Sequence, residues 1–139
     1  MRTTQADGPR VRADRPPVGR AALFFSLLGG PVAWTAHLLA SYPLVPPSCE
    51  MGSTALLNVI TAGTALLSAA AGAVGWWAYR RLKPVRDAER EVPWPGDDPP
   101  FAWARFMAVA GAVLGAFFAY VILVEGLPPI LQDPCISDL

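Results

Sequence analysis

Three stretches of this chain carry no formally charged side chain: Ala21 to Val45, Thr54 to Tyr79 and Phe106 to Val124. Each meets the roughly 18 apolar residues that a helix needs to cross a bilayer. At about 1.5 Å per residue each can span a hydrocarbon core of about 30 Å, the last with little length to spare. A sheet edge would strand backbone N–H and C=O groups in lipid, so helices are the economical structure. The runs predict an all-α integral membrane protein with three transmembrane helices. Composition agrees: 16% of the 139 residues are charged, against about 25% in soluble domains.

The basic residues set an orientation. Arg2, Arg10, Arg12, Arg15 and Arg20 precede the first run, and Arg80, Arg81, Lys83, Arg86, Arg90 and Arg105 lie between the second and third. Together these are all eleven Lys and Arg residues of the chain. The positive-inside rule then predicts a cytoplasmic N-terminus, an outer C-terminus and a multi-pass protein of the cell's inner (cytoplasmic) membrane. The expected segments are a cytoplasmic tail over 1–20, a first helix over 21–45, an outer loop over 46–53 and a second helix over 54–79. A cytoplasmic loop over 80–101, a third helix over 102–125 and an outer tail over 126–139 complete the chain. A cleaved signal peptide would share the basic start, but the first run is about twice the usual apolar length. Pro31 predicts a kink, and Pro43, Pro46 and Pro47 are expected to end the first helix. The stretch from Arg80 to Glu91 could extend the second helix for a turn or two, although Pro84 argues for a break. Trp76, Trp77, Tyr79, Phe101 and Trp103 form an expected aromatic belt at the inner interface, with Tyr42 at the outer one. Arg105 is placed to snorkel toward headgroups.

Small residues recur at helical spacing. Ser26, Gly30, Ala33, His37 and Ala40 share a face of the first helix. Asn58, Thr61, Ala65, Ser68, Gly72 and Gly75 share one of the second, and Ala104, Ala108, Gly111 and Gly115 one of the third. Such stripes let backbones approach closely in a membrane, where packing rather than hydrophobicity drives association. They suit an intramolecular three-helix bundle, contact with another subunit, or both.

Few side chains could carry chemistry. His37 is the single histidine, and an ionisable group inside a span is a functional candidate by default. A structural hydrogen bond, with Asn58 as the expected partner, competes with haem ligation, for which a second axial ligand is not evident. Cys49 and Cys135 both fall on the expected outer side, which favours a disulfide. A two-thiolate copper site, with Met51 as the only nearby soft ligand, and free thiols are the alternatives. Glu50, Glu125, Asp133 and Asp138 make the outer side acidic, which could steer a basic soluble partner such as a cytochrome. Translocated segments poor in Lys and Arg would look the same. The chain contains no H-E-x-x-H, C-x-x-C or phosphate-binding Gly-rich motif. No carboxylate lies within the uncharged runs to form a catalytic set or a proton path. These patterns predict neither an enzyme nor a cofactor, and the zero net charge predicts no nucleic-acid partner.

The stretch Gly29-Gly30-Pro31-Val32-Ala33-Trp34-Thr35-Ala36-His37-Leu38, continuing through Tyr42-Pro43 to Cys49, resembles small multi-span proteins encoded near bacterial haem-copper cytochrome c oxidases. Those carry a Gly-Pro-x-Ala-Trp-x-x-His stretch and a later cysteine, and the ending Leu127-Pro128-Pro129 to Asp133-Pro134-Cys135 is similar. The resemblance implies a respiratory or photosynthetic setting and assigns no role to any residue. The expected function is a non-catalytic accessory subunit of a membrane energy-converting complex, in contact with other subunits and lipid. The alternatives are an assembly factor delivering copper or haem and a free-standing homo-oligomer.

Overall fold

The computed structural model describes residues 18–50, 53–91 and 102–127. They form three α-helices: α1 (Arg20–Glu50), α2 (Ala55–Glu91) and α3 (Ala102–Glu125). Each helix packs against both others. The connection between α1 and α2 is short, which makes them antiparallel neighbours. All three are long and apolar enough to cross a membrane.

Two helices run further than their prolines suggest. α1 was expected to stop near Val45, yet it continues through Pro43, Pro46 and Pro47 to Glu50. Proline φ fits a helix, and its penalty is the missing N–H together with crowding of the preceding turn. Side-chain hydroxyls bond backbone carbonyls along the same helix. Thr35 Oγ1 donates to the Pro31 carbonyl at 2.9 Å. Ser48, almost fully buried, donates to the Leu44 carbonyl at 2.6 Å. The helix is continuous across Pro31 as well. α2 likewise passes Pro84 and ends at Glu91. Its C-terminal part is tied down by Leu82, which is buried with Val18, Leu23, Ala78, Ala104 and Ala108.

The core has three levels. The cluster around Leu23 and Leu82 closes the end where α1 begins, and a smaller one of Ala33, Ala65 and Ile122, flanked by Trp34, lies toward the end where α3 stops. Between them the helices meet almost backbone to backbone. A Cβ added to Gly115 would overlap the backbone nitrogen of Gly72, and one on Gly75 would stand 2.6 Å from the Ala112 nitrogen. A Cβ on Gly111 would lie 2.7 Å from the Ser26 backbone carbon, and one on Gly30 would lie 3.2 Å from the Leu114 carbonyl oxygen. Gly72 is pressed against Ala116 and Ala112. Ser68 Oγ, fully buried, donates to the Gly115 carbonyl at 3.0 Å and links α2 to α3. The large side chains point the other way: Leu39 is 73% exposed, Phe106 72% and Leu66 71%. Small residues inside and large apolar ones outside invert the soluble pattern.

A contrast between two glycines tests this waist. Gly115→Ala must separate α2 from α3, and overpacking of that kind destabilises by about 1–3 kcal/mol. Gly63 has open space where its Cβ would go, so Gly63→Ala is expected to leave stability unchanged or raise it by up to about 1 kcal/mol through helix propensity. Thermal unfolding of both variants in the same micelle, followed by far-UV circular dichroism, checks the difference.

Candidate functional site

The residues with chemical potential gather at the end of the bundle where α3 stops and α1 runs on. Ser26 opposite Gly111 and Gly30 opposite Gly115 fix the register of α1 on α3. On that register Glu125, the last residue of α3, stands level with Ala40. About ten residues of α1 therefore reach beyond α3, a step of about 15 Å. The step leaves a cleft of about 400 Å³ between α1 and α2, lined by His37, Ser41, Tyr42, Leu57, Thr61 and Glu125 among others. Gly126 also lines it, and its chain passes so close to the Thr61 methyl group that a Cβ would overlap it.

His37 is only 4% exposed. Its Nδ1 lies 3.2 Å from Thr64 Oγ1. The Thr64 hydroxyl has one proton, and its closest carbonyl is that of Ile60 one turn back, at 2.8 Å. The hydroxyl also lies 3.2 Å from the Thr61 carbonyl, and which group donates across the His37–Thr64 contact depends on the imidazole tautomer. Nε2 has no hydrogen-bond partner among the described residues. Thr61 is arranged in the same way, its hydroxyl donating to the Leu57 carbonyl at 3.0 Å. A threonine satisfied by its own helix leaves oxygen lone pairs for a neighbour.

A second polar link, not foreseen in the sequence, joins α1 to the end of α3. Trp34 Nε1 donates to the Glu125 carboxylate at 3.2 Å, and the indole ring leans on Phe118 with centroids 5.6 Å apart. Trp34 lies one turn before His37 on α1. With α1 and α3 parallel, the Glu125 side chain leans back toward the N-terminus of α3 to meet the Trp34 indole below its own level. The spacing was readable, but the register was needed to make use of it.

The other expected residues separate into groups. Gly30, Gly72, Gly75, Gly111 and Gly115 come together at the waist. Asn58, the expected partner of His37, is exposed instead, and Thr64 takes that place. The reason is the early end of α3. Beyond it, among the described residues, α1 alone covers α2, and the buried position is Leu57 rather than Asn58. The Cys49 side chain, Cys135, Phe101, Asp133 and Asp138 lie outside the described residues. Among the described residues no three His, Cys, Asp or Glu groups converge as a metal site. At the opposite end the Arg81 guanidinium lies 5.2 Å above the Trp77 ring, and Trp76 and Tyr79 pack at 5.8 Å. No protein-family model, curated protein or solved structure matches this chain.

The His37–Thr64 bond can be weighed directly. In a double-mutant cycle of His37→Leu and Thr64→Val, the coupling free energy is expected near 0.6 kcal/mol and at most about 1.7 kcal/mol, the range for interhelical bonds in membranes. Unfolding of the four proteins in one detergent gives the value.

Proposed function

We propose that the chain is a non-catalytic accessory subunit of a bacterial membrane complex for respiratory or photosynthetic electron transfer. The observation that carries this reading is the inverted packing: a waist of glycine, alanine and serine, with large apolar side chains on the outside of all three helices. Such a surface suits lipid and the helices of other subunits. An open groove of about 380 Å³ between α2 and α3, lined by Gly72, Ala73, Trp76, Ala112 and Ala116, offers small residues to a neighbouring helix. The setting itself comes from the resemblance of the Gly30 to Cys49 stretch to oxidase-associated proteins. In this reading the helices cross the inner membrane with the N-terminus in the cytoplasm and the C-terminus outside. The uneven distribution of all eleven basic residues supports that orientation. A disulfide between Cys49 and Cys135 would close the outer end.

Reporter fusions after Arg90 and after Leu139 are expected to report opposite sides of the membrane. A cytoplasmic signal from both would sink the topology.

Deletion of the gene is expected to lower the abundance of the host complex while turnover per redox centre stays unchanged. Spectroscopic counting of centres in membranes from the deletion strain, combined with turnover assays, reads both quantities. Normal abundance with a missing copper or haem centre would replace the accessory reading with cofactor delivery.

A further inference from the structure

Beside an apolar wall, the cleft presents the Glu125 carboxylate, the His37 ring and the hydroxyls of Ser41, Tyr42 and Thr61. His37 is buried and lines it, and its Nε2 has no hydrogen-bond partner among the described residues. Glu125 lines it as well. A carboxylate has about four lone-pair sites, and Trp34 Nε1–H occupies one region of it. The Thr61 proton is taken by the Leu57 carbonyl, so its oxygen too can accept. Among the described residues none that lines it is Lys or Arg. The Glu125 carboxylate favours a cationic donor in this cleft. The cleft is poorly matched to a phosphate or another anion.

We propose that this cleft binds a primary ammonium group, of the kind that phosphatidylethanolamine carries at a membrane surface, with His37 Nε2 and the Glu125 carboxylate as its acceptors. This rests on the reading that the three helices span a membrane. Depth is the second argument. α3 has 24 residues, or about 36 Å, which exceeds a core of about 30 Å by only a turn. Its last residue, Glu125, then marks the interface, and the cleft lies at headgroup level. Leu38, Val45 and Leu57 supply apolar wall beside the polar atoms. A primary ammonium offers three N–H donors, enough for both acceptors and a hydroxyl. A trimethylammonium offers none. Its usual recognition is a cage of Trp, Tyr or Phe rings, of which Tyr42 alone lines the cleft among the described residues. Discrimination between ethanolamine and choline headgroups follows from the donors alone.

The test uses the full-length protein in nanodiscs of mixed phosphatidylethanolamine and phosphatidylcholine, with retained lipid identified by native mass spectrometry. Glu125→Gln removes the charge and keeps an acceptor for Trp34. His37→Asn keeps an N–H near the Nδ1 position for Thr64 and deletes Nε2. The wild type is expected to retain the ethanolamine lipid over the choline lipid by about tenfold, the usual scale for one charge-assisted contact. Each variant is expected to lose most of that preference while its melting temperature stays close to wild type. In a second arm, ethanolamine is titrated against protein in pure phosphatidylcholine nanodiscs and the His37 ring resonances are followed. A saturable shift assigns the ammonium to a soluble amine; no shift, with the lipid preference intact, assigns it to the lipid. Equal retention of both lipids with no response to ethanolamine overturns the proposal. So does a preference that survives both substitutions. A protein that stays in solution without detergent would sink the membrane reading first. Lost selectivity in a protein that remains in the nanodisc sinks only the headgroup site.

Discussion

The contact between Gly72 and Gly115 admits nothing larger than hydrogen on α3, and a methyl group at Gly72 would meet α3 backbone at 3.2 to 3.3 Å. Lipid tails are as apolar as leucine, so no hydrophobic gain holds helices together inside a membrane. Dispersion between closely fitted surfaces, and a few polar links, must do it. At the waist those surfaces are the backbones themselves. The Ser68 hydroxyl can reach the Gly115 carbonyl only because α2 and α3 approach so closely. Ser26 sits on Gly111 for the same reason on the α1 side. Relaxing any one of these approaches would loosen the other two, since each helix packs on both neighbours.

The same fit determines what happens at the end where α3 stops. Once Ser26–Gly111 and Gly30–Gly115 fix the register, the level at which α3 stops is fixed too. Glu125 is carried to Trp34, and Gly126 to Thr61. α1 and α2 continue past that level and enclose the cleft. His37 is held by Thr64 from one side and lines the cleft. A packing constraint in the middle of the bundle thus places a polar site at its end, without any residue of that site taking part in the waist.

The three helices were legible because charge-free runs of this length have few other uses, and the small-residue faces because glycine and serine recur at spacings of three and four. The helix ends were not legible. Pro43, Pro46, Pro47 and Pro84 each weaken a helix locally, but Ser48 bonds the Leu44 carbonyl one turn back and is buried, and Leu82 is anchored by contacts far away in sequence. Local preference lost to tertiary packing. Asn58 illustrates a different limit. A polar stripe extrapolates correctly only while the same neighbours flank it, and α2 loses one neighbour where α3 ends. The partners of His37 and Glu125 depend on register across separate helices, which periodicity within one helix does not contain. Thr64 was a neutral-looking residue whose role comes from facing His37 across the α1–α2 contact.

The inverted arrangement of volume also changes which substitutions the chain can absorb. In a soluble domain the large buried side chains are the restricted positions, and the surface drifts freely so long as it remains polar. Here Leu39, Leu66 and Phe106 face outward and can exchange with any apolar residue. The restricted positions are those with the least side chain, Gly72, Gly75, Gly111 and Gly115. Tolerance to mutation should therefore follow side-chain volume at the waist and polarity at the surface, two scales that rank the same amino acids in different orders. A leucine is harmless on one face of α2 and disruptive one residue further on.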